Sequence, residues 1–320
     1  MIVRILTLTF VIGLAAGRAE AFTAYVSNEK DDTVSVVDLD KMQTVGTIQV
    51  GARPRGILLS KDGKELYICN GDADHIEVID LASQQVVRTL PSGPDPELFA
   101  LDRKGDKLYV ANEDDAMVTV LDVNQGVMST EIPVGVEPEG MAVSPDDKLL
   151  VATSETTSMA HFIDLSSLQV IANVLVDSRP RFAEFTPDGK QVWVSSEIGG
   201  TVAVIDVATK KVLQKIHFAI PGVDKEAIQA VGINMTADGS TAFVALGPAN
   251  RVAVVDMKTY EVKKYLLVGQ RVWHMDFTPD GKYLVTANGN SNDISIIDVA
   301  DLKVIKSVPV GQLPWGVVVR

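Results

Sequence analysis

Seven aspartates recur at nearly equal intervals along the chain, and each closes a short apolar run such as VSVVD, IEVID or VAVVD. They are separated by 42 residues in five cases and by 50 in one: Asp38, Asp80, Asp122, Asp164, Asp206, Asp256 and Asp298. A fixed period in the forties with several short strands per unit is typical of a β-propeller. We expect each Asp side chain to have a structural role, accepting hydrogen bonds from backbone N–H groups one or two residues further on.

One repeat, residues 54–95, contains four short strand patterns, which we call a, b, c and d, and the Lys61-Asp62-Gly63 turn joins a to b. This turn recurs six times, whereas the closing Asp occurs seven times. The ends of the chain explain the difference, because TAYVSN begins directly on a b-strand and PWGVVVR copies the start of an a-strand. The pattern therefore predicts an all-β fold: a single seven-bladed propeller of four-stranded antiparallel blades over residues 22–320. Residues 315–320 would fill the innermost strand of blade 1, so that strands from both ends close the ring.

Residues 1–21 have the features of a secretory signal peptide. Arg4 precedes a short apolar stretch, and Ala19-Glu20-Ala21 places small residues where a signal peptidase cuts. We expect cleavage before Phe22 and a periplasmic protein, with a retained N-terminal anchor as the alternative.

The composition excludes several classes of function. A net charge of −13 argues against nucleic acid or anionic lipid as a partner. The single cysteine, Cys69, allows no intrachain disulfide, and no CxxCH motif for covalent haem is present. The four histidines lack the spacing of a metal site. We therefore expect no cofactor and no bound metal.

The b-strands YVSN, YICN and YVAN, followed by TVSVVD or MVTVLD, resemble the YVTN family of β-propellers. The order of the blades is similar to a subgroup associated with PQQ-dependent alcohol catabolism. This resemblance implies an exported protein that acts beside a quinoprotein alcohol dehydrogenase, a c-type cytochrome or a transporter component. It implies no catalytic residues.

The positions that differ from blade to blade lie where strand d leads into the next strand a. Blades 3 and 4 place four carboxylates side by side there, and arginine pairs of blades 2 and 5 flank them. We take these residues as a candidate ligand or partner face, with the two tryptophans as anchors: Arg55, Glu97, Glu139, Arg181, Arg271, Trp273, His274 and Trp315. One interpretation is a set of inter-blade salt bridges. The other is a polar cup with an aromatic wall that binds a small ligand, a cation or a partner's side chain.

The eight extra residues in the 50-residue interval fall within residues 217–229, in a d-to-a connection. A long loop in a compact repeat is often functional, but an insertion at the surface is also tolerated at little cost. Both interpretations stay open.

Two functions compete. The leading hypothesis is a non-catalytic exported propeller that serves as a binding or accessory protein in PQQ-dependent alcohol oxidation. The alternative is a lactonase-type hydrolase with its site at the channel mouth, for which Arg181, Glu139 and His274 are the candidates. Whether the chain is an enzyme stays open at this point.

Overall fold

The computed structural model describes residues 22–320, so the expected signal peptide at residues 1–21 lies outside the described residues. The described chain forms 28 strands arranged as seven four-stranded antiparallel sheets. Three short 3-10 turns are the helical segments of this part of the chain: Gly71–Ala73, Glu113–Asp115 and Lys225–Ala227. Within residues 22–320, no helix is long and apolar enough to cross a membrane. The predicted seven-bladed propeller is therefore confirmed.

The strands of each blade run in the order a, b, c, d from the channel outward. Blades 1 to 4 consist of β28 (Pro314–Val319), β1 (Thr23–Asn28), β2 (Thr33–Asp38), β3 (Gln43–Gln49); β4 (Pro54–Leu59), β5 (Glu65–Asn70), β6 (His75–Asp80), β7 (Gln85–Pro91); β8 (Pro96–Leu101), β9 (Lys107–Asn112), β10 (Met117–Asp122), β11 (Val127–Pro133); and β12 (Pro138–Val143), β13 (Leu149–Ser154), β14 (Met159–Asp164), β15 (Gln169–Leu175). Blades 5 to 7 consist of β16 (Pro180–Phe185), β17 (Gln191–Ser196), β18 (Thr201–Asp206), β19 (Lys211–His217); β20 (Ile233–Met235), β21 (Thr241–Ala245), β22 (Arg251–Asp256), β23 (Val262–Leu267); and β24 (Val272–Phe277), β25 (Tyr283–Asn288), β26 (Asp293–Asp298), β27 (Lys303–Pro309).

Strands from the two ends of the chain close the ring in blade 1, as predicted. β28 pairs antiparallel with β1, with Ala24 opposite Val319 and Val26 opposite Val317. The same strand packs on blade 7, because Val317 and Val319 share a hydrophobic cluster with Val285. Closure leaves β1 without an uncovered inner edge, which protects the backbone groups of this strand.

The repeating aspartate has the expected structural role in every blade. Its carboxylate accepts a hydrogen bond of 2.7–2.9 Å from a backbone N–H in the c–d turn. The donor lies three residues further on in all seven copies, for example Lys41 for Asp38. Asp164 and Asp256 also accept from the expected N–H two residues further on. The Asp therefore ties the c–d turn to its own strand.

The alternation of strand directions gives the propeller two distinct faces. The d-to-a connections and the b–c loops lie together on one face, which we call the d–a face. The a–b and c–d turns lie on the other, which we call the a–b face. Inner strands are buried and outer strands are largely exposed on one side, so side chains that reach the channel come mainly from the a-strands.

The insertion connects β19 to β20 on the d–a face and is packed onto the fold. Phe218 and Ile228 are buried in a hydrophobic cluster shared by blades 5 and 6, and the Tyr265 hydroxyl accepts a hydrogen bond of 3.0 Å from the Ala219 N–H. These contacts hold the last part of the segment, including Gln229, near the candidate site.

Candidate functional site

The d–a face is built on a repeated turn whose first residue has a left-handed backbone. Six non-glycine residues at this position have φ between +49° and +59°: Arg53, Asp95, Glu137, Arg179, Arg271 and Leu313. Such a conformation costs of order 1–2 kcal/mol for an L-residue. In each of these six blades the carbonyl of this residue accepts a hydrogen bond from the N–H that follows the b-strand, as in Gly71 to Arg53 at 3.0 Å. The turn thus places the d–a side chains beside those that follow the b-strands.

The arginine pair of blade 2 binds the carboxylates of blade 3. The Arg55 guanidinium lies 2.5 Å from Glu97 and 3.0 Å from Glu29. Arg53 contacts Asp95 and also Glu97, the latter at 3.2 Å. Because Glu97 is fully buried, its charge depends on these two guanidinium groups for compensation.

The arginine pair of blade 5 holds a second group of carboxylates. Arg181, whose side chain is only 7% exposed, lies 3.0 Å from Glu139, 2.8 Å from Glu155 and 3.0 Å from Glu197. Arg179 contacts Glu155 and Glu197 at 3.0 Å each. The predicted inter-blade salt bridges therefore exist, and they lie largely below the surface.

Four carboxylates that sequence reasoning missed complete this assembly. Glu29, Glu113, Glu155 and Glu197 each follow directly after a b-strand. The sequence contained a signal for them, because these positions are spaced by 42 residues or a multiple of it. Gly71 occupies the position between Glu29 and Glu113 in the series. We call the whole assembly the charged ring; its members are Arg53, Arg55, Arg179, Arg181, Arg271, Glu29, Asp72, Asp95, Glu97, Glu113, Glu137, Glu139, Glu155 and Glu197.

Glu113 occupies the centre of the acidic half of the charged ring. Its carboxylate oxygens lie within 4.8 Å of those of Asp95 and Glu97 on one side and of Glu137 and Glu155 on the other. Partial burial, a hydrogen bond to Glu97 and the negative charges of Glu97 and Glu155 raise the pKa of Glu113 to about 7. The side chain is half-buried, so a group that is partly protonated at neutral pH lies within reach of solvent.

Two buried carboxyl groups of neighbouring blades have pKa values that are shifted in opposite directions. Burial acts to raise the pKa of Glu97, but the charge and hydrogen bond of Arg55 outweigh it and hold that pKa below its usual range. Burial raises the pKa of Glu139 well above its usual value in spite of Arg181, and the charges of Glu97 and Glu155 add to the effect. The surroundings of Glu97 therefore favour its ionised form, whereas those of Glu139 favour the protonated acid.

The aromatic residues lie on the opposite arc and at two depths. The guanidinium of Arg271 stacks 4.2 Å from the ring centroid of Trp273, and that of Arg181 lies 5.5 Å from it. Trp315 is 1% exposed, below the surface, with its ring 4.2 Å from that of His274. Burial and the charges of Arg181 and Arg55 lower the pKa of His274 to about 3, so its imidazole is neutral at physiological pH.

The structure brings seven of the eight candidate residues into one connected assembly at the d–a end of the channel. Arg271 joins it through Glu197 at 2.6 Å and through Gln229 of the insertion at 2.7 Å. His274 differs from the other seven, because it faces the channel rather than the ring. Trp315 is too deeply buried to serve as a surface anchor for a partner.

The acidic half of the charged ring has two sets of three carboxylates close enough to ligate a hard cation, and both sets include Glu113. Calcium and magnesium both prefer such oxygen ligands. Each set also contacts a guanidinium group, through Arg53 and Arg55 in one case and Arg179 and Arg181 in the other. These arginines supply the charge that a cation would supply, so we assign no metal to the ring.

Replacing Arg181 with Met is expected to lower the free energy of unfolding by about 3–5 kcal/mol at pH 7, because three buried carboxyl groups lose their shared cation. The loss should shrink at pH 5, since the uncompensated carboxylates then become protonated. Denaturant unfolding at both pH values measures this. Glu139→Gln should cost less than Arg181→Met, because burial already disfavours the charge of Glu139 that the amide removes. Arg103→Met, at an exposed arginine, is the control, and an Arg181 variant as stable as this control would contradict the prediction.

Solved structures with the same fold include hydrazine synthase of Kuenenia stuttgartiensis, with a TM-score of 0.79 and 23% identity over 87% of this chain and 92% of that one. Two others are putative 6-phosphogluconolactonases. The protein of Bacteroides uniformis has a TM-score of 0.79 and 17% identity, over 94% of this chain and 100% of that one. The protein of Bacteroides fragilis has a TM-score of 0.78 and 20% identity, over 95% and 99%. At these identities the likeness concerns the fold alone.

No curated protein matches the chain at a significant level. A family model does match it, over residues 18–131 and 164–304, and the family is described as lactonase, seven-bladed β-propeller. The resemblance to YVTN propellers is thus supported only at the level of the β-propeller. The leading hypothesis, a non-catalytic accessory protein of PQQ-dependent alcohol oxidation, is wrong, because the family is one of hydrolytic enzymes. Since the two matched segments cover well over half of its residues, this chain belongs to the seven-bladed β-propeller lactonase family.

Proposed function

We propose that the protein is a lactonase-type hydrolase and that its site is the charged ring on the d–a face. The observation that carries this assignment is Glu113, a half-buried carboxyl group with a pKa of about 7 beside fixed guanidinium groups. General bases are most effective when their pKa lies near the working pH. Membership of the lactonase family supplies the reaction class.

The reaction would use Glu113 as the base and Arg55 as the electrophilic group. The Glu113 carboxylate takes a proton from water, and the water oxygen forms a bond to the carbonyl carbon of the lactone. Negative charge then develops on the carbonyl oxygen, where Arg55, held in place by Glu97 and Glu29, can stabilise it without rearrangement. The ring C–O bond breaks, and the leaving oxygen takes the proton back from Glu113. The product is a hydroxy acid.

This assignment replaces the residues that the sequence suggested for hydrolysis. Glu139 is fully buried, and burial favours its protonated form, so it is poorly placed to act as a base. His274, with its pKa of about 3, faces the channel and not the ring. Arg181 is already shared by Glu139, Glu155 and Glu197. Glu139 and Arg181 therefore support the ring, His274 lies outside it, and the proposed reacting groups are Glu113 and Arg55.

The charge balance of the ring favours an uncharged substrate. Five arginines face nine carboxyl groups, so negative charge is in excess even with Glu113 and Glu139 protonated. A phosphorylated lactone would be repelled, and the substrate named for the two Bacteroides structures is therefore a poor fit for this chain.

Turnover of two sugar lactones by the purified protein tests the assignment. We expect gluconolactone to be hydrolysed above the spontaneous rate, with a kcat/KM about tenfold or more above that for its 6-phospho derivative at low ionic strength. Heat-denatured protein provides the background rate. Failure to accelerate either lactone, or a panel of other uncharged lactones, would overturn the hydrolase assignment. A preference for the phosphorylated substrate would overturn only the inference about charge.

A further inference from the structure

A second candidate site lies inside the channel, separate from the charged ring. The a-strands enclose a cavity of about 740 Å³, whose rim includes Lys61, Arg103 and Pro187 in the a–b turns. At its other end the cavity is lined by Trp315 and His274, which lie beneath the charged ring. The cavity therefore opens on the a–b face, opposite to the proposed hydrolytic site.

Two acidic side chains project into this cavity from equivalent positions of blades 5 and 7. They are Glu184 on β16 and Asp276 on β24. Asp276 is held by hydrogen bonds from the N–H groups of Val319 at 2.8 Å and Phe277 at 2.9 Å. Among residues 22–320, we find no hydrogen bond or ion pair to the Glu184 carboxyl group. Its carboxyl group is therefore available to a ligand in the cavity.

The remaining wall of the cavity is mostly apolar. At the position equivalent to Glu184, blades 1 to 4 supply Val318, Leu58, Ala100 and Ala142. The half-buried ring of Phe182 also lines the cavity, and aromatic faces attract ammonium groups. Carboxyl groups on one side and apolar side chains around them are complementary to a cation that also has apolar surface.

Positive charges of the protein do not occupy this space. Lys61 and Arg103 are exposed at the rim, where salt screens them. The imidazole of His274 is neutral. Behind it, Arg55 and Arg181 are compensated by carboxylates of the charged ring. The acidic pair thus faces the cavity without a competing cation from the a-strands.

We propose that the channel cavity is a second ligand site, which binds a small organic ammonium ion with apolar substituents between Glu184 and Asp276. The proposal does not depend on the hydrolase assignment, since it rests on a different set of residues and on the opposite face.

A linked release of protons is expected on binding. Burial raises the pKa of Glu184 to about 8, with the charge of Asp276 adding to it, and burial raises the pKa of Asp276 to about 7. At pH 7 Glu184 is therefore largely protonated and Asp276 about half protonated. A bound cation stabilises their ionised forms, so one or both must release a proton.

Calorimetric titration of the full protein with benzyltrimethylammonium at pH 7 tests the proposal. We expect saturable binding with a Kd below about 1 mM, and binding enthalpies that differ between phosphate and Tris buffers because protons are released. Glu184→Gln and Asp276→Asn should each weaken binding about tenfold and reduce the number of protons released. Asp188→Asn is the matched control, since it removes an exposed carboxylate from an a–b turn on the same face.

Neopentyl benzene serves as the uncharged isostere of the probe and should bind at least about tenfold more weakly. Equal binding of the two compounds, or unchanged affinity in both acid variants, would show that charge is not recognised and would overturn the proposal. Absence of binding by the ammonium probe would overturn it as well.

Discussion

Replacing Glu113 with Gln is expected to lower kcat/KM for lactone hydrolysis by about 10²–10⁴-fold, because the amide cannot accept a proton from water. In the parent protein, kcat/KM should fall about tenfold for each pH unit below about 7, as the base becomes protonated. Steady-state rates between pH 5 and pH 9 measure both effects.

A measurement of stability distinguishes loss of the catalytic base, Glu113, from loss of the fold. The pKa of Glu113 is higher in the folded protein than its ordinary value of 4.5. The folded state therefore binds the proton more tightly, and the contribution of this group to stability declines as the pH rises from about 4.5 through about 7. The Glu113→Gln variant should accordingly be no less stable than the parent at pH 8. Asp114→Asn, in the same b–c loop but exposed, is the matched control. If the Glu113→Gln variant kept its activity, or if the control lost as much, the base would have to be sought elsewhere.

Deleting residues 314–320 is expected to abolish the cooperative fold. The deletion removes β28, with its pairing to β1 and the burial of Trp315, Val317 and Val319. Burial of a large apolar side chain contributes about 1.5–3 kcal/mol, so the loss is comparable with the ~5–15 kcal/mol stability of a typical domain. The uncovered edge of β1 is also a template for association. We expect aggregated protein without a sharp thermal transition in light scattering and circular dichroism.

A point substitution on an outer strand is the appropriate comparison. Val87→Ala changes an exposed apolar residue of β7 and should leave the thermal transition within a few degrees of the parent, since exposed substitutions change stability by less than about 0.5 kcal/mol. A truncated protein that remained monomeric, with the transition of this control, would mean that the ring does not need β28.

Much of the fold was predictable because its constraints are local and repeat. The closing Asp marks each c–d turn, and seven copies of it specify seven blades. The incomplete repeats at the two termini predicted the pairing of β28 with β1. Without that pairing, the inner edge of β1 would be exposed. The charged positions of the d–a face could also be predicted, because their side chains differ from blade to blade although the repeat pattern around them is the same.

The roles of those positions were not predictable in the same way. Trp315 looked like a surface anchor, but it is buried against His274, because the a-strand carries it inward below the ring. Glu113 was missed, although it belongs to a series of positions spaced by 42 residues. That series becomes visible only when the residues that follow the b-strands are compared with one another. Function was misjudged for a related reason: known catalytic motifs are short and contiguous, whereas the charged ring draws its residues from separate blades.

The repeat period of this chain is enough to specify a seven-bladed ring, its closure and the blades that contribute charge, since each follows from patterns within one or two repeats. The tertiary structure was needed to distinguish Glu97, whose pKa Arg55 lowers, from Glu139, whose pKa burial raises, and to place Glu113 between Glu97 and Glu155 with a pKa of about 7. It was also needed to reveal the acidic cavity on the opposite face. The physical reason is that burial and the charges of other blades set the pKa of a carboxyl group, and both arise only when distant repeats meet around the axis.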